Sequence, residues 1–128
     1  MDLSVVIPAR NEMFLQKTIE RVFHNAQADT EVIAVLDGYW PDPPIADRPN
    51  LTIVPYPESI GQRGATNVGV RLSQAKYSIK LDANCDLDMG FDVNLMEFYQ
   101  LDCMLVPLKS NLHWFYLWLL LIRYLLHN

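Results

Sequence analysis

Short apolar runs alternate with polar stretches along the chain, and this pattern predicts a sheet with helices packed on it. Runs rich in β-branched residues predict strands over residues 3–7, 31–36, 51–54 and 77–81, with 104–106 as a candidate fifth strand. Unbroken apolar runs of this length are typical of strands buried on both faces of a parallel sheet. Pro8 follows the first run and Pro55 the third, so we expect those strands to end there.

Two helices are predicted between these strands. The first is indicated by apolar residues that recur every three or four positions and so form one stripe: Leu15, Ile19, Val22, Phe23 and Ala26. We expect Asn11 to cap its start, because asparagine is favoured at that position. The second helix is predicted over 61–75 and begins in a glycine-rich segment. Prolines rule out regular structure between 39 and 50.

The order β-α-β-β-α-β predicts an α/β fold, with a Rossmann-like, mainly parallel sheet and flanking helices. In such sheets ligands bind outside the carboxyl ends of the strands, where the polar residues that follow each strand converge. These polar residues are Asn11, Glu12, Asp37, Asp82, Asn84 and Asp86. We therefore expect one binding crevice at that edge of the sheet.

Four motifs lie on these elements. Residues 8–12 read P-x-x-N-E after the first strand, and the pair Asp37-Gly38 closes the second. Residues 61–69 have the spacing G-x-x-x-A-x-N-x-G at the start of the second helix, and residues 81–85 read L-D-A-N-C at the end of the fourth strand. With these motifs, residues 3–112 resemble the family-2 glycosyltransferases, which have the GT-A fold. The D-A-x-C variant is closest to the branch that includes polypeptide N-acetylgalactosaminyltransferases.

The resemblance implies that the chain binds a nucleotide-diphospho-sugar, with a UDP-sugar favoured, and transfers the sugar to an unidentified acceptor hydroxyl. The nucleotide-binding residues that it implies are Pro8, Ala9, Asn11, Glu12, Asp37, Arg63 and Asp82. By resemblance, Asp37 contacts the base and Arg63 is a candidate diphosphate contact. Each has a simpler alternative, because Asp-Gly is a common turn pair and Arg63 could be an ordinary surface residue.

The resemblance also implies a divalent cation, Mn²⁺ or Mg²⁺, across the diphosphate. Such hard cations prefer oxygen ligands, and the substrate phosphates supply several of them. The candidate protein ligands are Asp82, Asn84 and Asp86. Asn84 departs from the family, which has a carboxylate there, so metal affinity should be lower unless Asp86 substitutes. The alternative is that the acidic run 82–88 is a solvated loop.

Sugar transfer also needs an acceptor platform and, in an inverting enzyme, a general base within hydrogen-bond reach of the acceptor hydroxyl. Glu97 and Asp102 are the candidates for that base, and both fall too early to match the family, so no catalytic residue is assigned. We expect the C-terminal half of the GT-A fold to be incomplete. The alternative function is a catalytically inactive fragment or a nucleotide-binding module that lacks the acceptor half and the base.

Residues 112–128 form an apolar tail after a nucleotide-sugar-binding domain predicted over residues 1–111. No formal charge occurs between Asn111 and Ile122, and Arg123 interrupts a stretch that is short for a bilayer span. The alternatives are a buried helix, a membrane-touching end and an unnatural tail from a truncated or frame-shifted reading frame. The abrupt change in composition favours the last. If exposed, residues 112–126 would favour membrane contact or self-association.

Composition and charge narrow the functional classes. Hydrophobic residues make up 51% of the chain, which is enough for a core and excludes wholesale disorder. A net charge of −5 argues against a nucleic-acid partner, which needs a basic face. Cys85 and Cys103 fit neither a metal pair nor a disulfide scaffold, and Asp2 stands where a signal peptide carries positive charge. We expect a cytoplasmic protein, with membrane association as the alternative.

Overall fold

The computed structural model describes residues 1–100, which form a parallel sheet with flanking helices. The strands are β1 (Leu3–Ala9), β2 (Thr30–Asp37), β3 (Leu51–Tyr56) and β4 (Tyr77–Lys80), and the helices are α1 (Leu15–Asn25), α2 (Gly61–Leu72) and α3 (Phe91–Gln100). All neighbouring strands are parallel, and their order in the sheet is β3-β2-β1-β4. The predicted α/β fold with a parallel sheet is confirmed.

β1 and β2 lie at the centre of the sheet and are buried along their whole length. Their register pairs Leu3 with Thr30 and Ala9 with Leu36. β3 and β4 are the edge strands and are only partly buried. Burial on both faces explains why the apolar runs of the two central strands are continuous rather than alternating.

The two faces of the sheet carry different helices. The larger apolar core contains one side of α1 and alternate residues of β1, namely Leu15, Ile19, Val22, Leu3, Val5, Ile7 and Ala9. The opposite face has a smaller cluster in which Ala65 of α2 packs against Ile33 and Val35. α2 lies very close to β1, because a Cβ at Gly69 would overlap a methyl group of Val6. The glycine therefore allows the helix to approach the strand.

Two strands run past the prolines at which the sequence predicts their ends. β1 continues through Pro8, and β3 continues through Pro55. β4 ends at Lys80, which pairs with Val6, so the nitrogen of Pro8 faces no further strand among the described residues. Pro55 lies in an edge strand, where its missing N–H can point away from β2. Both prolines are thus compatible with the sheet, and the predicted ends are wrong.

The helix boundaries also differ from the prediction. The N-cap of α1 is Phe14, with no side-chain capping bond, whereas Asn11 lies earlier, in a left-handed turn with φ of 53°. The prediction that Asn11 caps α1 is therefore wrong. α2 ends at Leu72 rather than at residue 75, because Ser73 adopts an extended backbone and its hydroxyl donates to that of Ser4.

α3 is a helix that the sequence analysis did not predict, although its buried Phe91 and Leu95 have helical spacing. The fully buried carboxylate of Asp92 accepts hydrogen bonds from the backbone N–H of Gln27, at 3.0 Å, and from the hydroxyl of Thr30, at 2.8 Å. These bonds tie the first turn of α3 to the amino edge of the sheet, where β2 begins.

The segment 81–90 runs back along α1 from the carboxyl edge of the sheet to the amino edge. The Thr18 hydroxyl donates to the carbonyl of Ala83 at 2.6 Å, and the Asn25 amide donates to the carbonyl of Leu87 at 2.6 Å. Thr18 and Asn25 lie about 10 Å apart along the helix. The segment is therefore fixed along one side of α1.

Several sequence predictions fall outside the described residues. These are the candidate strand 104–106, the residues Asp102 and Cys103, and the apolar stretch 112–126. The division into a domain over 1–111 and a tail over 112–128 also stays a prediction. Within residues 1–100, no helix combines the length and apolar character needed to cross a bilayer.

The approach of α2 to β1 predicts opposite effects for two glycine substitutions in one helix. Gly69→Ala is expected to lower the free energy of unfolding by about 1–3 kcal/mol, because the new methyl group meets the buried Val6. Gly64→Ala is the matched control, since its Cβ would meet only the Ile60 side chain, at 3.4 Å. It is expected to raise stability by up to about 1 kcal/mol through helix propensity. Urea unfolding measures both, and equal shifts of the two variants would contradict the close approach.

The buried Asp92 carboxylate is expected to stabilise the fold at neutral pH but not in acid. Burial raises the pKa of Asp92, but hydrogen bonds from Gln27, Ala28, Thr30 and Val93 outweigh it and hold this pKa below its ordinary value of 3.8. The unfolded state therefore takes up the proton first, so the contribution is present above pH 3.8 and is lost as pH falls through the folded-state pKa. Asp92→Ala is expected to cost about 3 kcal/mol at pH 7 and much less below the folded-state pKa.

Urea unfolding at neutral and acidic pH checks this expectation. Asp88→Ala is the control, because Asp88 is an exposed carboxylate in the segment before α3. It should leave stability nearly unchanged at both pH values. An Asp92→Ala protein as stable as the unmodified chain at pH 7 would contradict the role assigned to the buried carboxylate.

Candidate functional site

The structure brings most of the predicted site residues to the carboxyl edge of the sheet. Because the strands are parallel, β1, β2 and β4 all end at this edge. Pro8 and Ala9 are the buried last residues of β1, and the exposed Asn11 and half-buried Glu12 follow in the next turn. These residues therefore lie at the edge of the sheet where strand order predicts a binding crevice.

Asp37 anchors the start of α2. Its carboxylate accepts a hydrogen bond from the backbone N–H of Ile60, at 2.6 Å, and another from the hydroxyl of Ser59, at 3.0 Å. Ile60 is the N-cap of α2, where a negative charge interacts favourably with the helix dipole. Gly38 permits this approach, because a Cβ there would lie 2.8 Å from the backbone nitrogen of Ser59. The Asp-Gly pair thus positions the helix start that carries Arg63.

Asp37 retains the capacity to bind a ligand as well. A carboxylate offers about four acceptor sites, and the two bonds to residues 59 and 60 occupy half of them. Its side chain is buried, with 4% of the residue exposed, so it lies below the more exposed residues of this edge. Arg63 is exposed in the first turn of α2, at the rim. Its position is compatible with both the diphosphate contact and the ordinary surface residue.

Tyr39 is a residue of this edge that the sequence analysis did not single out. Its hydroxyl is buried and makes no hydrogen bond of normal geometry within the described part of the chain. Burial raises the pKa of Tyr39, the backbone of Glu12 lowers it, and the Glu12 carboxylate raises it again. The first and second strand-end turns therefore touch each other beside Asp37. An aromatic residue directly after an Asp-Gly turn was the available signal.

Asp82 is exposed at the end of β4, and a buried lysine holds it. The ammonium of Lys80 lies 3.1 Å from one carboxylate oxygen of Asp82. Only 4% of the Lys80 side chain is exposed, compared with 59% for Asp82. The sequence analysis placed Lys80 inside a strand and gave it no role. A lysine within an otherwise apolar strand was the signal that could have identified it.

Asp86 and Asp82 are held by different groups. Asp86 forms an ion pair with Arg21 of α1 at 3.0 Å, beside an open cleft of about 510 Å³ on the outer side of that helix. Asp82 instead pairs with Lys80 at the carboxyl edge. Asn84 lies between the two and is exposed. Of the predicted metal ligands, Asp86 is therefore held at α1, whereas Asp82 is held at the carboxyl edge.

The chain offers few ligands for a cation. Within residues 1–100, no cluster of three or more histidine, cysteine or acidic side chains could hold a metal ion. Burial raises the pKa of the Cys85 thiol, and the nearby Asp82 carboxylate raises it further, which keeps it a poor ligand. The exposed oxygens of Asp82 and Asn84 suit a hard cation if phosphate oxygens complete its shell. The residues thus fit a cation held jointly with a phosphorylated substrate.

No family model and no curated protein matches this sequence. Solved structures do match. S. aureus TarS 1–349 superposes with a TM-score of 0.63 at 14% identity, covering 85% of this chain and 39% of that one. The structure of S. aureus TarS gives 0.63 and 14%, with 86% and 24% covered. The mannosyltransferase PcManGT from Pyrobaculum calidifontis, in complex with GDP-Man and Mn²⁺, gives 0.55 and 19%, with 66% and 28% covered.

The chain shares its fold with glycosyltransferases. At these identities the likeness concerns the fold alone. The chain spans 39% of the length of the TarS 1–349 chain and 28% of that of the mannosyltransferase. The activities of those whole proteins therefore enter only as proposals for this chain.

The positions of Asn84 and Asp86 predict different responses to substitution. Asn84→Asp is expected to tighten Mn²⁺ binding in the presence of UDP by about tenfold, because it adds a charge beside Asp82. Asp86→Ala is expected to change it less than about twofold, because that carboxylate pairs with Arg21 at the surface. Calorimetric Mn²⁺ titrations measure both. If Asp86→Ala weakened binding strongly and Asn84→Asp had no effect, Asp86 would be the ligand.

Proposed function

We propose that this chain is the donor-binding part of a glycosyltransferase and binds a nucleotide-diphospho-sugar at the carboxyl edge of its sheet. The observation that carries the proposal is that Asp37, the last residue of β2, and Asp82, just after β4, follow parallel strands that end at the same edge of the sheet. The shared fold supports it, as does the presence of GDP-Man and Mn²⁺ in one of the similar structures. We favour a UDP-sugar as the donor.

The proposed role of each residue follows from how deeply its side chain is buried at this edge of the sheet. Asp37 and the turns after β1 and β2, with Pro8, Ala9, Asn11 and Glu12, form the base pocket. Arg63 lies at the helix start that Asp37 positions, and a helix N-terminus favours an anionic diphosphate. Asp82 is exposed and can reach the ribose and the cation.

Asp82 and Asn84 are the proposed protein ligands of Mn²⁺ or Mg²⁺. A bound cation would neutralise charge on the diphosphate leaving group. The protein contributes one carboxylate and one neutral amide, so the diphosphate supplies most of the ligands. We therefore expect the cation to bind well only together with the nucleotide.

The proposed reaction joins the oxygen of an acceptor hydroxyl to the anomeric carbon of the donor sugar. The bond from that carbon to the diphosphate oxygen breaks, its electron pair leaves with the nucleoside diphosphate, and the acceptor hydroxyl loses its proton. The base for that proton is not assigned. Glu97 is exposed on α3, whose first turn is tied to the opposite edge of the sheet, and Asp102 lies outside the described residues.

A second function, a nucleotide-binding module without transfer activity, is supported by the same observation on Glu97. Donor binding is common to both functions, whereas hydrolysis of the donor or transfer to an acceptor belongs only to the enzyme. A donor panel with Mn²⁺, in which binding and hydrolysis are read separately, distinguishes the two.

The proposal predicts that the full chain binds UDP and that Mn²⁺ strengthens the binding. Asp82→Ala is expected to remove most of the Mn²⁺ enhancement, because it removes the carboxylate next to the cation. Isothermal titration calorimetry with UDP and GDP, each with Mn²⁺ and with EDTA, measures this. Absence of binding to both nucleotides in the presence of Mn²⁺ would refute the donor site.

Asp88→Ala is the matched control for Asp82→Ala. It removes one acidic charge from the same segment, and Asp88 is exposed, with its backbone carbonyl accepting a hydrogen bond from the N–H of Phe91. The Mn²⁺ enhancement should survive in this variant. Equal losses in both variants would mean that net charge, rather than a ligand at Asp82, controls the metal effect.

A further inference from the structure

Lys80 lies on the face of the sheet that α2 covers. The register pairs it with Val6, and Val6 pairs in turn with Ile33 of β2. Paired residues in a sheet point to the same face. Val6 is the residue against which Gly69 of α2 packs. The lysine side chain therefore starts beneath the helix and ends at the carboxyl edge, where its ammonium meets Asp82.

The ammonium of Lys80 is a fixed charge rather than a mobile surface group. Its side chain is 4% exposed, and its nitrogen lies 3.1 Å from an oxygen of Asp82. A buried charge is costly without charged or hydrogen-bonding partners, so Lys80 is not expected to move far from this position. Any anion or cation that enters beside Asp82 must interact with this charge.

The two ion pairs leave the segment 80–86 without net charge once Arg21 is counted. Lys80 neutralises Asp82, and Arg21 neutralises Asp86. Asn84 carries no charge. A divalent cation that binds Asp82 must compete with an ammonium already in contact with the same carboxylate, whereas a diphosphate gains an additional positive partner.

We propose that Lys80 is a built-in counter-charge for the donor diphosphate and competes with the divalent cation for Asp82. The proposal rests on the proposed function, because it assumes that a nucleoside diphosphate occupies this crevice. In consequence, this chain binds the diphosphate appreciably without metal, and Mn²⁺ strengthens that binding only moderately. Lys80 is thus a binding residue that sets how far donor binding depends on metal.

Lys80→Met tests the proposal, because it keeps the length of the buried stem and removes the charge. UDP affinity in EDTA is expected to fall by about tenfold or more, as for loss of a charge-assisted hydrogen bond. The enhancement of UDP affinity by Mn²⁺ is expected to rise by a similar factor, because Asp82 is released from its competitor. A merely structural lysine would not move these two quantities in opposite directions.

Two further variants keep the test decisive. Lys76→Met removes the same charge from an exposed lysine just before β4, at the far end of that strand, and should change neither quantity. Asp82→Asn breaks the same ion pair from its exposed side, so it covers the case in which Lys80→Met does not fold. It should lose the Mn²⁺ enhancement, and its UDP affinity in EDTA should fall by much less than the tenfold expected for Lys80→Met, because the asparagine oxygen can still accept a hydrogen bond from the ribose. A tenfold or larger fall in EDTA would overturn the proposal.

Nucleotide binding with and without Mn²⁺ distinguishes a failure of the Lys80 proposal from a failure of the proposed donor site. If the unmodified chain binds UDP and GDP only with Mn²⁺, or if Lys80→Met leaves affinity in EDTA unchanged, Lys80 is not the counter-charge and the donor site stands. If the unmodified chain binds neither nucleotide with or without Mn²⁺, the proposed function itself fails. Binding in EDTA that depends on Lys80 supports both.

Discussion

The contact between Gly69 of α2 and Val6 of β1 is the constraint on which the candidate site depends. The contact holds α2 close to the centre of the sheet, and the position of the helix in turn determines the position of its first turn. Asp37 then receives the N–H of Ile60 at the end of β2. Lys80 pairs with the same Val6, and its ammonium reaches Asp82 at the carboxyl edge of the sheet.

The organisation of the site could be predicted from the sequence because it follows from strand order. Asp37 and Asp82 directly follow apolar runs, and parallel strands bring such residues to one edge. Strand order does not identify Lys80, because this residue lies within β4 rather than after it, and only its charge in an apolar strand distinguishes it. Strand order also does not predict that Asp82 and Asp86 have different partners, because the partner of Asp86 is a side chain of α1.

The errors in the fold prediction also have physical causes. Pro8 and Pro55 do not end their strands, because both lie where the sheet needs no backbone N–H donor. Asn11 was taken as a helix cap on residue type alone, although asparagine is equally suited to the left-handed turn that it occupies. The start of α3 is held by the buried Asp92 carboxylate, which accepts hydrogen bonds from the backbone of Gln27 and Ala28, and the local sequence pattern does not predict such a distant contact.

The path of residues 81–90 along α1 couples that helix to the crevice. Thr18 and Asn25 hold the segment by its carbonyl groups, so its position follows the helix rather than the sheet. Asp82 and Asn84 therefore lie on a segment that begins at the end of β4 and is hydrogen-bonded along its length to α1. Substitutions on the side of α1 that faces this segment would therefore shift Asp82 and Asn84 without changing either residue.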